Sequence, residues 1–450
     1  WWKNSAINRG ILKENIFQPV KQGDKAVYEY KLLKTRGEGD GFGGGGLVDI
    51  TKDAQFASLE FNYKKCSGIR SYKPNPEVNL LQVEKAAEAI NSAKKPMIVF
   101  GQGVILGGAE ELFKEFVEKT GIPAAWTILG LSALPTKHPL NVGMVGMHGN
   151  YGPNVLTNEC DVLIAIGMRF DDRVTGNLDH YAKQAKVVHL EIDPAEINKN
   201  VYADFPVLGN VKETLKILME LVQPKSHKEW HNRFKELYKT EYEKVISGNL
   251  DVNKPDLGMA EVIQEININT KGNAVIVSDV GQHQMAACRY SDFTQTRSNV
   301  TSGGLGTMGF ALPAAIGAKM GSPKREVVAI IGDGGYQMTI QELGTIFQTK
   351  VPVKIVVLNN GFLGMVRQWQ QLFFDRRYAS TEMTNPDFVT IAKGYHIEAN
   401  RVTDRSQLKD AVKTMIDHDG PYFLEVKVEQ EENVFPMVPT GASVSDIILE

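Results

Sequence analysis

A chain of 450 residues, 42% apolar and 23% charged, is long enough for two or three ordinary soluble domains. Its formal net charge of −3 gives no global reason to expect nucleic acid or an anionic membrane as a partner. No apolar run reaches the length of a membrane span and no signal-peptide pattern is present, so a cytoplasmic protein is expected, or an organellar one after removal of a targeting segment.

The three cysteines, Cys66, Cys160 and Cys288, lie far apart in no metal-ligand spacing and read as inert thiols of a reducing compartment. Residues 1–46 are atypical. Trp1-Trp2 opens them, the glycine run Gly41–Gly46 closes them, and the mixed sequence between has no clear period. They read as a remnant or linker, with no secondary structure assigned. Leu47–Asp53 reads as a strand ending, and 47–78 as a connector, irregular from residue 54 and closing on Pro74 and Pro76.

A middle α/β domain is expected over 79–223. Helical spacing over Gln82–Ala93 leads to a buried strand at Pro96–Phe100, ending in Gly101-Gln102-Gly103. A helix over Ala109–Lys119, a short strand over Pro123–Thr127 and a strand at Val162–Ile166 follow, the last ending in Gly167. Val187–Ile192 is a further strand, Ala195–Asn198 a turn or short helix, and Val211–Leu221 a helix. Residues 224–255 form a charged helical linker.

A second α/β domain is expected over 256–430. It opens with a helix at Met259–Asn267 and a strand at Ala274–Ser278, followed by a small-residue helix over Thr307–Met320. Strands at Val327–Ile331 and Lys354–Leu358 bracket a helical segment. Helices over Pro386–Gly394 and Ser406–Asp417 precede a last strand at Tyr422–Val428, and 431–450 reads as a loop or lid. Strands alternating with helices predict two doubly wound parallel-sheet domains.

Chemistry concentrates at Val327–Met365. One strand ends in Gly332-Asp333-Gly334-Gly335 and the next in Asn359-Asn360-Gly361. Ligands of such sheets bind at the carboxyl ends of the strands. Magnesium takes oxygen ligands, usually one or two from protein and the rest from phosphate and water, and neighbouring strands about 4.8 Å apart bring Asp333 and Asn360 within reach of one ion. Gly334 and Gly335 let backbone N–H groups approach a diphosphate. Either piece alone reads as an ordinary turn; the two flanking one strand–helix–strand unit are far more specific.

This span resembles the diphosphate-binding motif of thiamine-diphosphate enzymes, which runs from Gly-Asp-Gly to Asn-Asn. Four flanking stretches, Ser302–Gly309, Val280–Met285, Leu363–Trp369 and Arg169–Gly176, narrow the resemblance to the acetolactate synthase catalytic subunit, also called acetohydroxyacid synthase, over roughly 47–450. The resemblance implies a transferase of branched-chain amino-acid biosynthesis that uses thiamine diphosphate, Mg2+ and FAD. It decarboxylates pyruvate and joins the two-carbon unit to a second pyruvate or to 2-oxobutanoate, giving 2-acetolactate or 2-aceto-2-hydroxybutanoate. The cofactor takes up the electrons as carbon dioxide leaves. A homodimer or homotetramer, with a possible small regulatory subunit and no nucleic acid or membrane partner, is also implied.

By the same resemblance Asp333, Asn360 and the Phe362 carbonyl hold the metal. Val280, Gly281, Gln282, His283, Gly306, Gly334, Gly335, Leu363, Gly364 and Met365 contact thiamine diphosphate, and Met308 bends it into a V. Taken alone, Met308 reads as a core methionine on a helix. The middle domain resembles the family's FAD-binding domain. Gly101, Gln102, Gly103, Gly167, Met168, Arg169 and Glu191 suit a dinucleotide, although a lone Gly-x-Gly is also a tight turn. The resemblance adds Thr127, Ile128, Leu129, Met147, His148, Asp171, Arg173, Val174, Ile192, Asn210, Val211, Gly303 and Gly304 to the FAD site, and places Arg173, Met365 and Trp369 at the substrate. Trp369 matches the tryptophan that favours 2-oxobutanoate, and Arg173 suits a carboxylate. FAD in this family looks structural and does not imply an oxidase.

The family's activating glutamate lies in an N-terminal domain for which residues 1–46 are too few. The chain is therefore expected to lack that domain, to be inactive alone and to represent a larger enzyme incompletely. Two other readings stay open: another thiamine-diphosphate decarboxylase or oxidase of the same fold, and a non-catalytic relative.

Overall fold

The computed structural model describes residues 19–22, 25–28, 52–58, 60, 62 and 74–450. Pro19–Gln22 (β1) and Lys25–Tyr28 (β2) pair as an antiparallel hairpin within the stretch that had no assigned structure. Lys52–Phe56 is a short helix (α1), which corrects the strand ending expected through Lys52 and Asp53; residues 47–51 and Cys66 lie outside the described residues.

From Leu80–Ser92 (α2) onward the chain builds two six-stranded parallel sheets. The first contains Pro96–Phe100 (β3), Ala124–Trp126 (β4), Asn141–Met144 (β5), Val162–Ile166 (β6), Lys186–Glu191 (β7) and Phe205–Leu208 (β8). Its order is β5-β4-β3-β6-β7-β8, so the direction of winding reverses between β3 and β6. Helices Gln102–Leu106 (α3), Glu110–Thr120 (α4), Tyr151–Thr157 (α5), Asp172–Thr175 (α6) and Val211–Leu221 (α7) connect these strands or follow them.

The linker is a charged helix, Lys228–Glu241 (α8), continued by a widened turn at Tyr242–Ile246. Trp230 anchors it by donating Nε1–H to the Pro96 carbonyl at 2.9 Å and packing edge-on against Phe234. After Met259–Thr270 (α9) the second sheet takes Val275–Ser278 (β9), Asn299–Thr301 (β10), Val327–Gly332 (β11), Lys354–Asn359 (β12), Glu398–Val402 (β13) and Tyr422–Lys427 (β14). Their order is β10-β9-β11-β12-β14-β13, with the reversal between β9 and β11. β11 and β12 are buried along their whole length, as a strand covered on both faces by helices must be.

Gln282–Tyr290 (α10), Ala311–Gly321 (α11), Asp333–Met338 (α12), Leu343–Thr349 (α13), Gly364–Phe373 (α14), Phe388–Gly394 (α15) and Arg405–Asp417 (α16) complete this half. The helix expected from Thr307 starts only at Ala311. Gly309 has φ +80°, which an α-helix cannot include, so Met308 sits in a turn and not on a helix.

One apolar core runs between the halves, from Phe113, Phe116 and Leu134 on the first to Val262, Ile266 and Phe293 on the second. At roughly 1.5–3 kcal/mol for each large apolar side chain buried, this seam is a major part of the stability. The tail leaves β14 and packs back across the first half. Val438 N–H donates to the Met147 carbonyl at 2.7 Å, Asn158 Nδ2 donates to Ser443 Oγ and Ser445 Oγ, and Val444 is buried among Leu156, Leu163 and Phe234. The tail is thus mostly loop, closed by a short turn at Val444–Asp446, and it is strapped down. No described helix is long and apolar enough to cross a membrane.

Candidate functional site

In a doubly wound sheet the crevice opens where the winding reverses. At the reversal of the second sheet, β9 ends at Ser278 and is followed by Asp279, and β11 ends at Gly332 and is followed by Asp333, the first residue of α12. β12 lies beside β11 with Gly332 opposite Leu358, so Asp333 and Asn360 emerge from adjacent strand ends, as their spacing predicts.

Asp333 is 1% exposed. Its Oδ2 accepts from Gly361 N–H at 3.0 Å and Asn385 Nδ2 at 2.7 Å, and its Oδ1 from Gly334 N–H at 3.1 Å. Burial pushes this carboxyl above the usual range, while the three donors pull it back. Among the described residues no Lys, Arg or His pairs with it. Asn360 is buried beside it, its Oδ1 accepting from Phe362 N–H at 3.2 Å. No three His, Cys, Asp or Glu side chains gather as a metal site among the described residues. A single carboxylate with neutral oxygens around it suits a hard cation that keeps phosphate and water ligands.

Val280 and Gly281 leave β9 as a turn, and Gly281 has φ +150°. Gln282 and His283 form the first turn of α10. Gln282 Nε2 donates to Gln368 Oε1 at 2.9 Å and to the Glu432 carbonyl at 2.7 Å. His283 is buried with Nε2 unpartnered, and burial pushes its pKa down to about 3, so the ring is neutral. Leu363 precedes α14, while Gly364 and Met365 begin it. A Cβ at Gly364 would stand 2.1 Å from Gln282 Oε1, which brings α14 onto α10.

A Cβ at Gly334 would meet Leu363 Cδ2 at 2.7 Å and Met308 Cε at 3.7 Å, which brings Met308, Leu363 and the Asp333 helix together. Gly335 differs. Its Cβ would lie 1.6 Å from Asp279 Oδ2, so the buried Asp279 by itself requires glycine here. Gly306, at φ +65°, turns the loop beside Val280.

The residues expected for a dinucleotide fall together at the carboxyl edge of the first sheet. Gly101-Gln102-Gly103 follow β3, Thr127-Ile128-Leu129 follow β4, and Met147 and His148 lie beyond β5. Gly167, Met168, Arg169, Asp171, Arg173 and Val174 follow β6, Glu191 and Ile192 end β7, and Asn210 and Val211 follow β8. The loop carrying Gly303 and Gly304 crosses from β10, and a Cβ at Gly303 would stand 2.8 Å from Leu129.

Trp126 Nε1 and His148 Nδ1 are buried and unpartnered at this edge. His148 is pushed down to about 4, by burial first and then by the Arg289 charge. Gly101 and Gly103 are explained locally: a Cβ at Gly103 would lie 2.5 Å from Gly167 Cα, so the two loops need glycine to touch each other. Glu191 Oε1 accepts from the Ile192 and Asp193 N–H groups, and burial raises its pKa. Arg169 lies 3.8 Å from the Asp171 carboxylate. Met365 and Trp369 share one face of α14, with Trp369 packed on Phe373, while Arg173 is exposed on α6 of the other half.

A buried ion pair joins the two edges. Arg289, at the end of α10, donates to Glu241 of α8 and to the His148 and Gly149 carbonyls at 2.9 and 3.1 Å. Glu241 also accepts from Asn150 Nδ2 at 2.8 Å and Tyr151 N–H at 2.7 Å. The sequence pattern singles out none of Glu241, Arg289, Asn385 and Gln368, because each is a polar residue whose partner lies far along the chain.

A buried carboxylate and amide at the carboxyl ends of adjacent strands, at the reversal of one doubly wound sheet beside a second, define a class of fold, and sequence comparison narrows it. Residues 83–218 match the central domain of thiamine pyrophosphate enzymes and residues 279–426 their C-terminal TPP-binding domain. The chain is 41% identical over 405 residues to the acetolactate synthase isozyme 2 large subunit of Escherichia coli, covering 89% of this chain and 71% of that one. A probable acetolactate synthase large subunit of Methanocaldococcus jannaschii is 39% identical, with 89% and 69% covered. Acetolactate synthase 1, chloroplastic, of Oryza sativa subsp. japonica is 38% identical, with 99% and 70% covered. The chain belongs to the acetolactate synthase large-subunit family of thiamine-diphosphate enzymes.

Proposed function

We propose that this chain serves an acetolactate synthase, carrying the metal-and-diphosphate end of thiamine diphosphate and a FAD site. The reaction decarboxylates pyruvate and transfers its two-carbon unit to pyruvate or 2-oxobutanoate. The observation that carries this is Asp333: a buried carboxylate at a sheet reversal, ringed by amide donors, with an amide oxygen beside it and no cationic side chain paired with it among the described residues. That donor set fits Mg2+, held by Asp333, Asn360 and the Phe362 carbonyl.

When bound, thiamine diphosphate supplies the electron sink for loss of carbon dioxide. The chain's residues orient it. The neutral, unpartnered His283 suits a diphosphate oxygen, and Met308 and Leu363, packed at Gly334, support the middle of the molecule. Burial of Asp333 and Asn360 keeps water from the metal's protein side. FAD is supported by the strand order of the first sheet and by the unpartnered Trp126 Nε1 and His148 Nδ1 at its carboxyl edge. Met365 and Trp369 are proposed to face the acceptor substrate and Arg173 its carboxylate. No described carboxylate is assigned the activation of the cofactor, so turnover is proposed for the whole enzyme. A homo-oligomer with a small regulatory subunit is part of the same proposal.

The test is product analysis of the whole enzyme supplied with pyruvate, thiamine diphosphate, Mg2+ and FAD. Acetolactate is expected. Acetaldehyde or peroxide in its place would show a decarboxylase or oxidase, and retained cofactor without turnover a non-catalytic relative.

A further inference from the structure

Asp333 has two carboxylate oxygens, and the structure treats them unequally. Oδ2 accepts two hydrogen bonds, from Gly361 N–H at 3.0 Å and Asn385 Nδ2 at 2.7 Å. Oδ1 accepts one, from the adjacent Gly334 N–H at 3.1 Å. An sp2 oxygen has two lone pairs in the carboxylate plane, so Oδ2 is used up and Oδ1 keeps one free.

The Asn385 amide is itself fixed. Its Oδ1 accepts from Gln337 Nε2 at 2.9 Å, which leaves Nδ2 as the end facing Asp333. The same Nδ2 also donates to Asn359 Oδ1 at 3.1 Å. Asn359 Nδ2 donates in turn to Glu425 Oε1 at 2.7 Å, and Glu425, 1% exposed, is held by Arg401 Nε at 2.6 Å and Lys427 Nζ at 3.2 Å. A polar chain thus runs under the carboxyl ends of β12 and β14 from Asp333 to two cations.

We infer that Asn385 is a positioning residue that makes Asp333 a one-oxygen ligand, presenting Oδ1 alone to the cation. This rests on the metal reading proposed above. Magnesium demands near-ideal octahedral geometry and suits a single-oxygen carboxylate, whereas calcium accepts both oxygens of one carboxylate. Holding Oδ2 away from the ion therefore selects for the smaller cation. An amide suits this position because a carboxylate there would add a second negative charge 2.7 Å from the first.

The experiment titrates Mg2+ and, separately, Ca2+ into the full protein with thiamine diphosphate present, reading cofactor binding by quenching of tryptophan fluorescence. In Asn385→Ala the half-saturating Mg2+ concentration is expected to rise about 10–100-fold, the usual effect of losing a partner behind a metal ligand. The half-saturating Ca2+ concentration is expected to rise less, because the freed Oδ2 can join that ion. Unchanged Mg2+ dependence, or equal shifts for both ions, overturns the inference. Asp333→Ala is the companion variant. If it binds cofactor with unchanged Mg2+ dependence, the metal reading itself fails; if it loses that dependence while Asn385→Ala keeps it, only the positioning role fails. Should Asn385→Ala not fold, Gln337→Leu removes just the bond that fixes the Asn385 amide. It is expected to shift Mg2+ dependence in the same direction by less, and no shift overturns the inference.

Discussion

Replacing Glu241 by alanine tests how the two halves are held in register. The Glu241 side chain is fully buried and that of Arg289 is 4% exposed. Deleting the carboxylate leaves a guanidinium in the interior with only the His148 and Gly149 carbonyls, and strips Asn150 Nδ2 and Tyr151 N–H of their acceptor. Breaking such a pair from one side costs about 3–5 kcal/mol. With an unfolding entropy of about 2.1 cal/mol/K per residue, and a cooperative unit of about 200 residues, that is a fall in Tm of roughly 7–12 °C. The double variant Glu241→Ala/Arg289→Met removes the stranded charge and leaves only neutral groups without partners, the Asn150 and Tyr151 donors and the His148 and Gly149 carbonyls, each costing about 1–3 kcal/mol and less than a buried charge. It should therefore melt above Glu241→Ala, although it carries one more substitution. The assay is thermal unfolding of the wild type, both single variants and the double variant as a cycle. Glu241→Ala melting with the wild type, or a double variant whose loss is the sum of the singles, would falsify the claim that the pair is a coupled unit.

Gly335→Ala should lower stability by about 1–3 kcal/mol, because its methyl must expel the buried Asp279 carboxylate 1.6 Å away; an unchanged urea midpoint would show that Asp279 yields freely. Trp369→Leu should lower preference for 2-oxobutanoate over pyruvate as acceptor, read from the product ratio in competition, and a constant ratio would remove Trp369 from the substrate site. His283 gives a pH signature in the cofactor-free protein. Its folded pKa of about 3 lies below the ordinary 6.5, so below pH 6.5 the unfolded chain takes up a proton that the folded one refuses. Its contribution is complete above pH 6.5 and is lost as pH falls towards 3, by at most about 1.4 kcal/mol per pH unit. Urea unfolding at pH 7 and pH 5 should show a smaller loss in His283→Gln than in the wild type, and equal losses would mean that His283 is protonated when folded.

Much of this architecture is legible in the sequence because parallel strands buried on both faces are continuous apolar runs. Pro96–Phe100 and Val162–Ile166 sit where the pattern puts them, and the strand ends fix Asp333 and Asn360. What the pattern hides has physical causes. In α14 the buried residues are Arg367 and Gln368, while Val366 and Phe373 are exposed, which inverts the apolar stripe that marks a helix. In α10 nearly every residue is buried, so Gln282, His283 and Gln284 show no face at all. The edge strands Asn299–Thr301 and Glu398–Val402 are short and half-polar. Tight contacts are equally invisible in the sequence: Gly335 and Gly103 are each required by a neighbouring side chain or loop that lies far along the chain.

The strapped tail changes what cutting the chain would do. Residues 251–256, just before Leu257, are largely exposed, with Val252 at 61%, and they join the two sheets. In a molecule joined there alone, one nick would release two particles. Here the 257–450 fragment carries Ser443, Val444 and Ser445, already seated on the first half, and Glu450, paired with Lys244 on the other side of the cut. A nicked molecule should run as two bands under denaturing conditions and as one particle under native ones. The last twenty residues act as a second hinge pin, and the two halves behave as a clasped book rather than as beads on a string.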